Sequence, residues 1–259
     1  MTVYGLYARE TGGWLSVAAL VKLLARCDVD EPVVRSSIFR LKRRGLLEAV
    51  KVDNVAGYGL TDEARVILDE GDRRIFERRR ATAADGWLLA VFSVPESERD
   101  KRHVLRTQLT RLGFGTVSAG IWIAPAHVYD EARETLERHG LNVYVDLFRA
   151  DHLAFADTVH RVPDWWDLGR LRSLYDDFLQ LYSPVLAAYR RRRSPVEPAR
   201  AFTDYITALT DWRRLPYAEP GLPAEVLPAD WTGQRAADTF FELRARLAEP
   251  AHRFVNEIR

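Results

Sequence analysis

Residues 31–47, EPVVRSSIFRLKRRGLL, constrain this chain more than any other stretch. Val34, Ile38 and Leu41 fall at i, i+4 and i+7, one apolar stripe on a helix of 3.6 residues per turn. Arg35, Ser36, Arg40 and Arg43 lie on another face, and Lys42 and Arg44 prolong its positive charge. Asp30 stands in front as a cap, and Pro32 occupies the first turn, where a missing N–H breaks no bond. Gly45 ends the helix, because glycine enters left-handed backbone without strain. A short helix with an apolar back and an arginine-rich front suits the major groove of DNA. The same pattern also describes a surface helix whose basic face is merely solvated, so the flanking elements must decide.

Those flanks have a definite order. Ser16 is an N-cap for VAALVKLL, whose Val17, Leu20, Val21 and Leu24 are the expected buried stripe. Leu15 before the cap can staple to Leu20. LLEAVKVDNVAGYGLT alternates about an Asp53–Asn54 turn and predicts a two-stranded hairpin. Thr61 then caps a helix that opens with Asp62 and Glu63, as the helix dipole favours. Helix, turn, basic helix, hairpin, helix is winged helix-turn-helix order, which predicts a double-stranded DNA-binding domain over residues 1–80. Within it Arg35 and Arg40 can donate in pairs to guanine, and Ser36 or Ser37 can bond a base or a phosphate. Lys42, Arg43 and Arg44 are placed to hold the phosphate backbone. Phe39 lies beside this face, where core packing is favoured over contact with a thymine methyl. The run Arg78 to Arg80 is explained as well by solvation of a helix end as by DNA.

Residues 85–150 read as β-α-β-β-α-β, the ferredoxin-like arrangement. WLLAVFSV is a continuous apolar run that predicts a strand buried on both faces. ESERDKRHVLRTQLTRL predicts a helix with Val104, Leu105, Leu109 and Leu112 inward. GFGTVSAGIWIAP predicts two short strands joined near Gly120, AHVYDEARETLERHG a second helix, and LNVYVDLF the closing strand. The unit resembles the small ferredoxin-like nucleases of CRISPR adaptation, which raises a metal-dependent nuclease as the alternative function. Those enzymes place an Asp after the first strand; here that strand runs into Phe92–Ser93–Val94–Pro95, and Asp146 has no obvious acidic partner. A dimerisation or effector-binding module is therefore the preferred reading. His152 and His160, near Asp151 and Asp157, lack metal-ligand spacing, and neither a nucleophile elbow nor a phosphate-binding glycine loop is present. Neither an enzyme, a metal nor a cofactor is expected.

A length of 259 residues leads one to expect two or three domains. The net charge is only +1, so any nucleic-acid surface must be a local patch. The single Cys27 excludes an intrachain disulfide and fits a reducing compartment. MTVYGLYARETGG lacks the features of a signal sequence, and no apolar run reaches the roughly 20 residues that span a bilayer, so a cytoplasmic protein without membrane contact is expected.

Residues 163–259 read as a helical C-terminal domain. Pro163 and Trp165–Trp166 introduce a long helix, on which Leu171, Tyr175, Phe178, Tyr182, Leu186 and Tyr189 step by three or four as a stripe for a core or a subunit interface. Pro184 is a candidate kink, and Arg190 to Arg193 suit the negative end of the helix dipole. A helix over 196–213, the irregular LPYAEPGLPAEVLPADWTG and a helix from Gln234 complete the chain.

VRSSIFRLKRRGLL with its hairpin, GFGTVSAGIWIAP, and DWRRLPYAEPGLPAEVLPADWTG, in this order and spacing, resemble the PaaX family of transcriptional regulators over nearly the whole chain. The resemblance implies an α+β protein: an N-terminal winged helix-turn-helix, a ferredoxin-like middle and a helical C-terminal domain. It also implies a homodimeric repressor of a catabolic operon on an inverted-repeat operator, released by a small effector such as an aryl-acyl-coenzyme A. Such a thioester needs arginines for its phosphates and an apolar cleft for its acyl group. Trp212, Arg213, Arg214, Tyr217 and Trp231 bring both kinds of group onto one stretch; equally, the two tryptophans can anchor that stretch to the core. Two departures stand out. The hairpin carries only Lys51 where family wings have arginines near the tip, and Glu219–Pro220 replaces the usual Asp-Pro. A DNA-binding protein without any ligand is the third reading.

Overall fold

The structure, a computed structural model, describes residues 1–77, 79–153 and 155–259; Arg78 of the arginine run therefore lies outside the described residues. Helices and two antiparallel sheets make it an α+β chain. It divides into two compact units, Met1–Arg73 with Phe178–Trp212 and Arg235–Arg259, and Arg74–Asp177 with Arg213–Gln234. The C-terminal third expected as a domain over 163–259 is thus shared between the two units. Among the described residues no helix is long and apolar enough to cross a membrane.

In the first unit, β1 (Trp14–Ser16) leads into α1 (Val17–Ala25) and α2 (Glu31–Arg43), followed by β2 (Leu47–Val52), β3 (Val55–Leu60) and α3 (Asp62–Asp72). Ser16 caps α1 by accepting from the Ala19 N–H at 3.0 Å, and Thr61 caps α3 by accepting from Ala64 at 3.2 Å. Asp30 occupies the N-cap position of α2 but its side chain makes no capping bond. Asp53 and Asn54 both have positive φ (48° and 63°), which suits a tight hairpin turn between β2 and β3. The sequence reading missed β1, which pairs with β3 to give the sheet order β1-β3-β2. It also misplaced the stripe of α1. Ala19, Leu20 and Leu23 are buried, whereas Val17, Val21 and Leu24 are half-buried, because the covering elements approach α1 from a rotated direction.

The remainder of this unit is helical. It comprises the second part of α7 (Leu168–Arg191), α8 (Pro198–Trp212) and most of α10 (Gly233–Ile258). All six members of the aromatic stripe on α7 are buried within the chain, so the stripe is core and not a subunit interface. Tyr182 and Tyr189 donate to Asp211 and Asp204, each at 2.6 Å, which satisfies the phenols that the stripe carries inward. At the C-terminal end of α7 the Arg190 Nε also donates to Glu242 of α10 at 2.9 Å.

The second unit holds β4 (Trp87–Phe92), α4 (Arg99–Arg111), β5 (Gly115–Ser118), β6 (Ile121–Pro125), α5 (Tyr129–Arg138) and β7 (Val145–Ala150). Its sheet order, β5-β6-β4-β7 with antiparallel neighbours, is that of a ferredoxin-like fold. Alternation along β4 explains burial on both faces. Leu88, Ala90 and Phe92 pack against Leu105 and Leu109 of α4 and Ala132 and Leu136 of α5. Trp87 and Leu89 belong instead to a second core with Val162, Trp165 and Trp166, contributed by α6 (Thr158–Trp165) and the residue after it, and with Leu222, Val226 and Leu227. Val104, expected inward, is exposed at 37% because α4 turns only the Leu105–Leu109 side to the sheet. The irregular stretch holds a short helix, α9 (Leu215–Ala218), and then passes close to residues 79–81. Gly221 bonds the Ala81 N–H through its carbonyl at 2.9 Å, and its φ is +78°. A Cβ there would lie 2.2 Å from the Arg79 carbonyl oxygen, so only glycine fits.

Candidate nucleic-acid interface

Val34 and Ile38 anchor α2 from its buried side, with Leu41 half-buried beside them. A rotation of 100° per residue then places Ser36, Phe39, Arg40 and Arg43 on the opposite side, with Arg35 and Lys42 at its borders. All six are exposed, as is Arg44 at the C-cap. Gly45 follows at φ +70°, and its carbonyl accepts from the Thr61 hydroxyl at 2.7 Å, which ties the end of α2 to the start of α3. The helix is therefore held behind and free in front.

The charged groups on this face are only lightly engaged. Arg35 donates through Nε to Glu31 at 2.7 Å, one turn back, and both side chains are more than half exposed. Such a pair contributes a few tenths of a kcal/mol and yields readily to a phosphate or a guanine. Arg40 donates to the Ser37 hydroxyl at 3.1 Å. Ser37 itself is half-buried on the flank of α2, so of the two serines Ser36 is the one that faces outward.

Phe39 departs from expectation. It is 60% exposed and sits among Ser36, Arg40 and Arg43, not in the core. The helical wheel contained this signal, since Phe39 is only one residue from Ile38 but 140° from Val34. The hairpin is a poorer partner for DNA: Lys51 is its only basic side chain, and Val52 and Val55 are exposed beside the turn.

The residues expected to bind an effector fall in both units. Trp212 belongs to the first unit and is fully buried, stacked on Phe240 with ring centroids 4.9 Å apart and planes 10° apart. Arg213, Arg214, Tyr217 and Trp231 belong to the second unit. Arg214 is exposed and Arg213 half-buried. The Tyr217 ring lies under the Arg74 guanidinium at 5.0 Å, and Arg74 also pairs with Glu131 at 2.8 Å. The Trp231 ring meets Tyr175 edge-on at 5.7 Å, with its indole N–H buried and lacking a hydrogen-bond partner among the described residues. Trp212 is therefore placed as a core residue, as the alternative reading of that tryptophan had it.

Glu219 gave no such signal in the sequence beyond its departure from the family's Asp-Pro. Its side chain is wholly buried, accepts from the Tyr175 hydroxyl at 3.1 Å and from the Leu222 N–H, and lies 3.8 Å from the Arg80 guanidinium. Two polar donors and a nearby cation make a buried carboxylate tolerable here, and they pin the irregular stretch. Of the two histidines near Asp151 and Asp157, His160 is exposed and His152 is held by its neighbours. His152 bonds the Thr158 hydroxyl at 2.9 Å and meets the Trp165 ring edge-on at 5.2 Å. Among the described residues no three His, Cys, Asp or Glu side chains are grouped to hold a metal ion.

Three family models match successive parts of the chain: the PaaX-like protein over residues 1–64, the PaaX protein central Cas2-like domain over 80–162 and the PaaX-like protein C-terminal domain over 166–257. A curated relative, the transcriptional repressor PaaX of Escherichia coli strain K12, is 27% identical over 262 residues, spanning 99% of this chain and 81% of its own length. An uncharacterized protein, Rv0674 from Mycobacterium tuberculosis, has a similar fold, with a TM-score of 0.64 at 20% identity over 98% of this chain and 97% of its own.

Proposed function

The chain belongs to the PaaX family, and we propose that it is a DNA-binding transcriptional repressor whose α2 reads the operator. The carrying observation is the exposed face of Ser36, Arg40 and Arg43 on a helix fixed from behind by Val34 and Ile38. Arg35 and Arg40 contact guanine edges, Ser36 a base or phosphate, and Lys42, Arg43 and Arg44 the backbone. Ser37 serves as the support of Arg40. The protein acts in the cytoplasm and by binding alone, without catalysis.

It works as a homodimer on an inverted repeat, with half-sites about 10 bp apart or a multiple of that. The strand β7 supports this reading, for it is an edge strand among the described residues and Phe148 on it is exposed, as are Val143 before it and Leu153 after it in the chain. A small metabolite releases the operator; the family resemblance points to an aryl-acyl-coenzyme A, with Arg213 and Arg214 available to its phosphates.

The test is fluorescence anisotropy on a site selected from random duplexes. Arg35→Ala or Arg40→Ala costs about 1–3 kcal/mol at that site and relaxes one base preference. Arg43→Ala weakens all sequences alike and lowers the salt slope by about 1. Equal losses on selected and random DNA for all three variants would remove the base-reading role of α2.

A further inference from the structure

The apolar positions of α2 divide into two sets. Val34, Ile38 and Leu41 face inward, where with Leu24 of α1 and Ile206 of α8 they line a cavity of about 330 Å³. Phe39 is not on those walls. It is 60% exposed, although a phenyl ring is among the side chains that gain most from burial. Among the described residues no other ring packs on it and no guanidinium lies over it.

Helix geometry gives this ring particular neighbours. Arg35, Phe39 and Arg43 are spaced by four, so they form one row along the helix surface, each turned about 40° from the last. Neighbours in that row are about 6 Å apart along the helix axis. Ser36 lies about 60° from Phe39, on the side toward Arg40. The row is therefore apolar at its middle and cationic at both ends. A phosphate backbone offers nothing to a phenyl ring. Among the four ordinary bases the major groove offers one apolar group, the C5-methyl of thymine.

We propose that Phe39 reads thymine: its ring packs on the thymine C5-methyl, while Arg35, one turn before it, bonds a guanine and Arg43, one turn after it, holds a phosphate. This rests on α2 being the DNA-reading element, and adds the base selected between the two arginine contacts. About 6 Å along the helix is a little under two base-pair steps of about 3.4 Å. The thymine thus lies within about two base pairs of the guanine read by Arg35. Cytosine presents a bare C5 at the same place, so the methyl alone makes the distinction.

The experiment removes that methyl and nothing else. A duplex is selected from random sequence by the full-length protein, and each of its thymines is replaced in turn by deoxyuridine, which keeps every hydrogen-bonding group. Affinity is read by fluorescence anisotropy at one salt concentration. At one thymine within about two base pairs of the guanine whose preference Arg35→Ala relaxes, deoxyuridine weakens binding by the parent protein about fourfold, as expected for one buried apolar carbon. Phe39→Ala binds the thymine and deoxyuridine duplexes alike at that position. Phe39→Leu, which keeps an apolar side chain, retains part of the difference. Deoxyuridine that costs nothing at any thymine, or as much in Phe39→Ala as in the parent, overturns the inference and leaves α2 as the reading helix. If no duplex is selected, or Arg35→Ala and Arg40→Ala weaken selected and random DNA alike, the reading of α2 falls and the role of Phe39 with it.

Discussion

Replacing Trp212 by alanine distinguishes a core tryptophan from one that meets a ligand. The indole is fully buried. It stacks on Phe240 at 4.9 Å and meets Phe178 and Phe241 edge-on at 5.6 and 6.0 Å. Truncating a buried tryptophan costs about 3–5 kcal/mol, the larger values where the surroundings cannot close on the space left behind. Closure is hindered here. Tyr182 of α7 is bonded to Asp211 of α8, and Arg190 of α7 to Glu242 of α10, so the three helices that supply these rings are tied to one another. A loss of about 4 kcal/mol follows, against total stabilities of roughly 5–15 kcal/mol. With a urea slope of about 2–3 kcal/mol per molar, the midpoint falls by about 1.3–2 M.

The assay is urea unfolding followed by near-ultraviolet circular dichroism, with hydrogen exchange in α8 reporting on the first unit separately, since a chain of two units need not unfold in one step. Trp212→Phe, which keeps a ring against Phe240, loses much less. Below the transition, folded Trp212→Ala binds an aryl-acyl-coenzyme A ester as the parent does. A midpoint shift under about 0.3 M together with lost ester binding would show that the ring is free to meet ligand, and would refute the reasoning from burial.

Phe39→Ala leaves the urea midpoint within about 0.5 kcal/mol of the parent, because an exposed side chain supports no core, yet weakens operator binding several-fold; an unchanged anisotropy titration would remove Phe39 from the interface. Burial, and then the charge of Arg79, hold the His127 imidazole below its ordinary value of 6.5. The unfolded chain therefore takes up the proton first, so this stability is full above pH 6.5 and is lost as pH falls through the lower folded value; His127→Gln flattens that part of the urea midpoint between pH 7 and 5. In the proposed homodimer, Phe148→Asp on β7, an edge strand among the described residues, gives a monomer in sedimentation, whereas an unchanged sedimentation coefficient moves the interface elsewhere.

What could be read in advance depended on how far apart in the chain the deciding groups lie. The caps by Ser16 and Thr61, the left-handed Gly45 and the Asp53–Asn54 turn are each settled within four residues, and all four are present. The apolar run of β4 announced two buried faces, but nothing local said that Trp165, Trp166 and Leu222 would cover the second. Trp212 was legible and misread: Phe202, Tyr205, Leu209 and Trp212 step by three or four along α8, which puts the indole on the buried stripe whatever arginines follow it. Glu219 was not legible, since its role rests on Tyr175, 44 residues away. The same distinction separates the exposed face of α2 from the cavity behind it. A DNA-reading face is complete within one helix, so periodicity alone can expose it. The cavity behind that helix needs α1, α2 and α8 together, and the bond joining the first of these to the last spans 177 residues. No local pattern records such a meeting, because the hydrophobic residues that line a cavity and those that fill a core obey the same spacing.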